Sequence, residues 1–79
     1  MNIYRMTFTA TCPVDGEQIA YSLEIVANDT IRAEDIEATV PTGTVFHEDL
    51  ADLFFDKFGG KQTIRARHGR VDIETFRSH

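Results

Sequence analysis

Two short polar segments contain the residue types in this sequence that are best suited to chemistry. The only cysteine lies in Cys12-Pro13-Val14-Asp15-Gly16-Glu17, and an adjacent imidazole and carboxylate lie about 35 positions later in Phe46-His47-Glu48-Asp49. A thiolate is a strong nucleophile, and an imidazole moves protons near neutral pH. A carboxylate accepts two parallel hydrogen bonds, such as those donated by the amide and amino edge of a purine-like ring. The two segments could therefore supply a nucleophile, a proton carrier and an anchor for such a ring.

Each of these residues also has a purely structural interpretation. A single free cysteine is commonly a small buried hydrophobe. His47 and Glu48 can be first-turn residues of a helix, whose positive end favours acidic side chains. The three histidines, His47, His68 and His79, are scattered and lack paired ligand spacing with the one cysteine, so we expect no metal site. Residue types alone leave the catalytic and the structural interpretations open.

Size and charge limit the domain organisation and the partners. The chain has 79 residues, of which 42% are hydrophobic, and it contains no linker or repeat, so residues 1–79 should form a single domain. A domain this short buries little surface, which favours assembly into an oligomer. The net charge of −5 disfavours a nucleic acid as the main partner, because phosphate binding draws on clustered Lys and Arg. One local group, Arg65, Arg67 and Arg70 with His68, could hold a small anion or could be solvated strand charges.

Cysteine usage and hydropathy favour a reducing compartment and disfavour a membrane. One cysteine excludes an intrachain disulfide, as is typical of cytosolic proteins. The N-terminal residues lack the apolar core of a signal peptide, and no apolar run approaches membrane-spanning length. The sequence therefore predicts a cytoplasmic protein without a membrane partner.

Alternating apolar and polar residues predict four strands. Apolar side chains occupy even positions from Tyr4 to Ala10 and odd positions from Ile19 to Ile25, and this period of two is typical of a strand with one buried face. Pro13 and an Asp-Gly pair mark a turn between them, so the two strands should form an antiparallel hairpin. Later alternating runs predict a third strand over residues 62–67 and a fourth over residues 71–74.

A short helix is predicted over residues 31–38. Asn28-Asp29-Thr30 offers several cap residues before it. Ile31 and Ala33, with Ile36 close by, would lie on its buried side.

A second and clearer helix is predicted over residues 46–58. Thr44 would be its N-cap, and Gly59-Gly60 would end it. Its apolar residues follow the i, i+4, i+7, i+8 pattern of one helix face, and they are Phe46, Leu50, Leu53 and Phe54. The element order is then ββααββ, which predicts an α+β fold with a four-stranded antiparallel sheet and helices on one face. The two exposed edges of such a sheet invite pairing with copies of the chain.

The chemical segments resemble those of the nitrile reductases of queuosine biosynthesis, which act on 7-cyano-7-deazaguanine and have the tunnelling fold. Phe8-Thr9-Ala10-Thr11-Cys12-Pro13 followed by Gly16 is similar to the nucleophile segment of that family. Phe46-His47-Glu48-Asp49 is similar to its substrate-binding segment, and Gly69-Arg70-Val71-Asp72-Ile73 resembles a strand near its end that contains Gly-Gly-Ile. The resemblance covers most of the chain in order.

The resemblance implies a role for each site residue. Cys12 would add to the substrate nitrile as a covalent thioimide, and His47 would assist proton transfer beside the reacting carbon. Glu48 would hold the amide and amino edge of the ring, with Phe46 in the same substrate-binding segment. Tunnelling-fold proteins close rings of subunits with sites between neighbours, so the resemblance also implies a homo-oligomer with intersubunit sites and a purine-like small-molecule substrate.

The sequence departs from the family at two places. The family has an aspartate seven residues after the cysteine, where this chain has Ile19, and Asp15 and Glu17 are near but not aligned. The NADPH-binding stretch of the reductases is not recognisable, because the corresponding residues 31–37 are acidic and contain no lysine. A shorter branch of the family lacks that stretch and transfers ammonia to the same nitrile on a tRNA, which forms an amidine.

Three interpretations of the function therefore stand side by side. The first is an enzyme, reductase-like or amidine-forming, that works through a thioimide on Cys12. The second is a non-catalytic module that binds a deazaguanine, purine or pterin ring through Glu48. The third is a small structural or interaction protein, since a fold does not fix a function.

Overall fold

Four antiparallel strands form one open sheet, and two helices cover one of its faces. The computed structural model describes residues 1–79. The strands follow one another across the sheet in the order β1-β2-β3-β4, and both helices lie between β2 and β3 in the sequence. The elements are β1 (Asn2–Thr11), β2 (Gln18–Ala27), α1 (Ala33–Thr39), α2 (His47–Phe58), β3 (Lys61–His68) and β4 (Val71–Ser78). The predicted α+β fold with the order ββααββ is confirmed.

The alternation of the strands separates a covered face, on which the helices pack, from an open face. Even positions of β1 and β3 and odd positions of β2 and β4 lie on the covered face, as the register of the three strand pairs requires. The largest fully buried side chains of the core come from the three inner elements, β2, α2 and β3, and are Tyr21, Ile25, Leu50, Phe54 and Ile64. Burial of apolar surface between sheet and helices is the main force that holds such a two-layer domain together.

The last strand is longer than the predicted 71–74. It continues to Ser78 because Thr75 pairs with Ile64 and Arg77 pairs with Gln62 across the sheet. Thr75 is buried although it is polar, so an apolar alternation could not have revealed this part of the strand.

The buried stripe of α2 differs from the predicted one. Its buried residues are His47, Leu50, Ala51 and Phe54, whereas Phe46 and Leu53 are 53% and 39% exposed. The helix begins at His47, and Phe46 has extended backbone angles, so its side chain lies outside the helical repeat. The predicted stripe is therefore confirmed for Leu50 and Phe54 and wrong for Phe46 and Leu53.

Neither helix uses its predicted N-cap side chain. The cap residues are Arg32 for α1 and Phe46 for α2, and neither side chain accepts a cap hydrogen bond from the first turn. Thr44 instead lies in an isolated parallel bridge with Thr11. In α1 the buried residues are Ile36 and Thr39, so the prediction for Ile36 is confirmed and that for the exposed Ala33 was wrong.

The predicted end of α2 at Gly59-Gly60 is confirmed. The Gly59 N–H donates to the Phe55 carbonyl at 2.8 Å, and both glycines have positive φ angles of 64° and 74°. A Cβ atom on Gly60 would lie 2.5 Å from the carbonyl oxygen of Val26. Only glycine fits this approach between the helix end and β2.

Two further features bear on partners. The outer edges of β1 and β4 carry no neighbouring strand, so both offer free backbone groups for pairing. Neither helix combines the length and the apolar character that a membrane crossing requires.

Candidate functional site

A single backbone contact brings the two chemical segments together. Thr11, the last residue of β1, forms a parallel bridge with Thr44, and the Val45 N–H donates to the Thr11 carbonyl at 3.1 Å. Cys12 and Phe46 each lie within two residues of this bridge. The segments that are distant in sequence are therefore neighbours within one chain, at the end of the sheet where β1 stops and α2 starts.

Cys12 lies at the mouth of the turn between β1 and β2. Its N–H donates to the Glu17 carbonyl at 2.8 Å, and its carbonyl accepts from the Gly16 N–H at 3.0 Å. The thiol is free and half-buried, and the side chain packs at the margin of the hydrophobic core. The sulfur is therefore held by a rigid turn but is not enclosed as a core residue would be.

Asp15 lies beside the thiol in the same turn. The Glu17 N–H donates to Asp15 Oδ1 at 3.0 Å. This bond lowers the pKa of the Asp15 carboxyl, and contact with the Cys12 thiol and the nearby His68 lower it further. The carboxylate is thus ionised at neutral pH and next to the candidate nucleophile.

His47 is enclosed at the start of α2. It is only 7% exposed, and its ring lies 5.6 Å from the ring of Tyr21 and 5.6 Å from that of His68. Neither of its ring nitrogens has a hydrogen-bond partner. The Ile64 carbonyl is close enough to raise the pKa slightly, but it lies outside hydrogen-bonding geometry.

The environment of His47 favours its neutral form. Burial is the largest cause that lowers the pKa of His47 below 6.5, and the positive charge of His68 is the next. Glu48 acts in the opposite direction, and Arg77 lowers the pKa by a smaller amount. At neutral pH the ring is therefore uncharged, with one nitrogen able to donate and the other able to accept a proton.

Tyr21 and His68 complete this group, and sequence reasoning did not assign them to the site. The Tyr21 ring lies 6.1 Å from that of His68, and burial followed by the nearby Cys12 raises the pKa of its hydroxyl. His68 is half-buried, with Nε2 enclosed and without a partner. Strand alternation could have revealed both, because even positions of β3 and odd positions of β2 share the covered face.

Glu48 and Phe46 do not face this group. The Glu48 side chain is 75% exposed, and its carboxylate lies 3.4 Å from Arg77 Nη2. Arg77 also pairs with Asp52 at 3.0 Å. No hydrogen bond or ion pair joins Glu48 to Cys12 within the chain. Tyr21 lies near Cys12 and against both histidine rings, whereas the predicted ring anchor stays at the surface.

The arginines near the end of the chain do not form an anion pocket. Arg65 pairs with Glu74, and Arg67 lies 3.9 Å from Asp72, on the open face. His68 lies on the opposite face of the sheet. The arrangement fits solvated, paired strand charges.

Most surface pockets of the chain lie away from the predicted site residues. Five of the six surface pockets have linings that contain none of the predicted site residues. A cavity of about 510 Å³ lies at the other end of the sheet, between Met1, Val26 and Lys61. No group of three or more His, Cys, Asp or Glu side chains is arranged to hold a metal ion.

Comparison with known proteins adds no relative. No family model, no curated protein and no solved structure matches the chain. What the chain does must therefore be argued from the site itself.

Proposed function

We propose that the protein captures the nitrile of a 7-cyano-7-deazaguanine-type ring as a covalent thioimide on Cys12. The observation that carries this proposal is the Thr11–Thr44 bridge, which holds a half-buried thiol next to the segment that begins α2. The resemblance of both segments to the nitrile reductases supplies the substrate class.

The proposed step needs a nucleophile and a route for one proton. The sulfur of Cys12 forms a bond to the nitrile carbon, one of the two π bonds of the nitrile breaks, and the nitrogen takes up the proton that the thiol gives away. The step consumes no reductant. A nitrile is electrophilic but slow to react with water, so a positioned thiolate provides most of the rate advantage.

Asp15 is the group we assign to removal of the thiol proton. Its carboxylate is ionised, because the Glu17 N–H and the nearby thiol lower its pKa, and it lies three residues after Cys12 in the same turn. Ile19, at the position of the aspartate in the family, is 6% exposed and belongs to the core. Asp15 therefore offers a carboxylate near the thiol in place of the aspartate that the chain lacks at position 19.

Glu48 is the group we assign to the ring edge, in a site that a second copy of the chain completes. Its exposed carboxylate is held at the surface by Arg77, which leaves lone pairs for the amide and amino N–H groups of a ring. The free edges of β1 and β4 allow a neighbouring subunit to cover it. This homo-oligomer is part of the proposal.

The second reactant stays open in the proposal. The region that would bind NADPH contains α1, whose first turn carries Glu34 and Asp35, and an acidic helix start repels a dinucleotide phosphate. This surface therefore does not favour binding of a hydride donor. Transfer of ammonia to the thioimide is the alternative second step.

A non-catalytic ring-binding module is the second candidate. The observation in its favour is the enclosure of both His47 nitrogens, which keeps this proton carrier away from a ligand in the single chain. In that case Glu48 binds the ring but Cys12 forms no bond to it.

Intact-mass spectrometry tests the proposal. We expect incubation with 7-cyano-7-deazaguanine to add the mass of one substrate molecule to the wild-type chain and to leave Cys12→Ser unmodified. Glu48→Ala should weaken ring binding about 10- to 100-fold, because it removes hydrogen bonds to a charged group.

Calorimetry with the same ring separates the two candidates. Binding without an adduct would replace the enzyme by the binding module. If the ring neither binds nor forms an adduct, or if Glu48→Ala leaves its binding unchanged, a deazaguanine ring is not the ligand of this protein.

A further inference from the structure

The outer edge of β1 has a groove beside it that the thioimide chemistry does not use. The groove encloses about 280 Å³ and is lined by residues 3–6 of β1 and by Ala33, Ile36 and Glu37 of α1. Tyr4 and Met6 are only half-buried, at the margin of the hydrophobic core. The groove therefore offers space and apolar surface next to a strand that has no outer neighbour.

Two hydrogen bonds at the end of β1 show which backbone groups of this edge are free. The Cys12 N–H points toward β2 and donates to the Glu17 carbonyl, whereas the Thr11 carbonyl points outward and accepts from the Val45 N–H. Backbone groups alternate between the two sides of a strand, and β1 pairs with β2 residue by residue without a bulge. The outward N–H and C=O groups before Thr11 are therefore those of the odd residues, Ile3, Arg5, Thr7 and Thr9.

The edge of β1 is less protected against pairing than the edge of β4. Edge strands are commonly kept from pairing by charged side chains, proline, a bulge or a short length. The strand β1 has ten residues and one charged side chain, Arg5, whereas β4 has eight residues that include Asp72, Glu74 and Arg77. A long and regular strand with little charge is a template on which another strand can pair.

We propose that β1 binds an extended peptide segment of another protein, which adds a strand to the sheet at this edge. The free N–H and C=O groups of β1 bond to the peptide backbone, and alternate apolar side chains of the peptide enter the groove beside α1. This surface is separate from the proposed chemistry, because Cys12 follows the opposite end of β1. Glu48 lies beside Arg77 of β4, so a second copy that completes the Glu48 site approaches the other edge.

The charges beside the groove favour a basic peptide. The helix α1 carries three acidic residues and no basic one. Of the charged residues that line the groove, Arg5 pairs with Glu24 on the open face, whereas Glu37 has no ion-pair partner. A lysine or arginine next to the apolar peptide residues would pair with Glu37. A second copy of the chain brings its own net charge of −5, which opposes its approach to an acidic groove.

Nuclear magnetic resonance of the isotopically labelled chain tests the backbone pairing. The probe is a short peptide of alternating valine and threonine with a lysine at each end. On its addition we expect the backbone amides of the odd residues to shift and to exchange more slowly with solvent, because their N–H groups gain acceptors. The same peptide with N-methylated amides should not bind. Binding of both peptides with equal affinity, or shifts that leave Ile3, Arg5, Thr7 and Thr9 unaffected, overturns the proposal.

Thr7→Pro tests the edge itself. Proline removes the outward N–H and leaves the bonds to β2 in place, as it does on natural edge strands. We expect it to weaken peptide binding about 10-fold or more, measured by fluorescence anisotropy, because a donor is lost and the ring obstructs the incoming strand. Thr7→Val keeps the N–H and should bind like the wild type. Equal binding by Thr7→Pro contradicts the proposal, and if this variant does not fold, the N-methylated peptide decides.

Glu37→Lys tests the preference for a basic peptide. It should weaken binding of the lysine peptide about 2- to 5-fold, as expected for an exposed ion pair, and strengthen binding of a peptide with a glutamate at each end. Asp56→Lys makes the same charge change on an exposed part of α2, away from the groove, and should have little effect. Equal effects of the two variants would mean that net charge alone matters, which overturns the assignment of the groove.

Sedimentation distinguishes a peptide from a second copy of the chain at this edge. If the wild type binds the peptide and Thr7→Pro leaves the oligomeric state unchanged, the edge belongs to another protein. If Thr7→Pro dissociates an assembly and the wild type binds no peptide, the edge belongs to a second copy and the proposal is overturned. Neither result depends on whether Cys12 forms an adduct, so the two proposals fail separately.

Discussion

The open face of the sheet and the histidine group on its covered face differ in how their polar side chains are paired. On the open face, charged side chains find partners across the sheet, as Arg5 does with Glu24 at 3.0 Å and Arg65 does with Glu74. On the covered face, the buried nitrogens of His47 and His68 have none. The charged side chains of the open face are thus paired although water could solvate them, whereas these ring nitrogens are unpaired although water is excluded. Another buried polar group of the covered face is paired, since Gln62 donates to the Phe54 and Gly59 carbonyls.

This difference distinguishes the groups that stabilise the fold from the groups that belong to the candidate site. Exposed ion pairs contribute little to stability, and the apolar core supplies the driving force. An unpaired buried polar group costs free energy, so the two histidines lower the stability of the face that otherwise holds the domain together. Such a cost is expected at a functional site.

The largest effect should come from the apolar part of the covered face. Phe54 is fully buried and packs on the Phe8 ring at 5.7 Å, so Phe54→Ala should lower the free energy of unfolding by about 3–5 kcal/mol. Urea denaturation followed by circular dichroism measures this change. Phe55→Ala, on the outer side of the same helix, is the control and should cost much less.

A smaller effect, of opposite sign, should come from the unpaired imidazole of the same face. His47→Leu keeps an apolar side chain of similar volume and removes two enclosed nitrogens, so it should raise the free energy of unfolding by about 1 kcal/mol at pH 7. A loss of stability in this variant would mean that the nitrogens have partners, such as ordered water, and would break the contrast between the faces.

The same imidazole should make stability depend on pH. Because the pKa of His47 is lowered below 6.5 in the folded chain, the unfolded chain binds the proton more readily. Stability is therefore complete above pH 6.5 and is lost as the pH falls below it, by at most about 1.4 kcal/mol per pH unit. Denaturation between pH 7 and pH 5, compared with His47→Leu, measures this dependence, which the variant should reduce.

The smallest effect should come from the open face. Arg65→Ala removes an exposed partner of Glu74, and screened surface pairs contribute little. We expect no resolved change in the urea midpoint, either in low salt or in 1 M salt. A clear destabilisation that salt abolishes would show that the ion pairs of the open face contribute to the stability of the domain.

Most of the sheet could be predicted because the strands alternate regularly. The period of two in residues 4–10 and 19–25 reflects one buried face, and the structure pairs these residues in that register. The buried face of α2 could not be predicted in the same way, since His47 and Ala51 occupy it. A polar ring and a small side chain carry no strong hydrophobic signal, so the stripe seemed to pass through Phe46 and Leu53 instead.

The candidate site was predictable by residue type but not by arrangement. Cys12, His47 and Glu48 stood out because their chemistry is distinctive. Strand alternation places Tyr21 and His68 on the covered face, but the contact between their rings depends on the pairing of β2 with β3, which alternation does not specify. The orientation of Glu48 toward Arg77 depends on how α2 lies across β4, which no local pattern of residues specifies.

The bridge between Thr11 and Thr44 also has a consequence for the order of folding. The β1–β2 and β3–β4 hairpins close short turns, and such local contacts form at low entropic cost, whereas the bridge joins residues 33 positions apart. We expect the hairpins to be present in the transition state and the bridge to form after it. The surroundings of the sulfur would then be among the last parts of the chain to acquire their native shape, and the first to lose it.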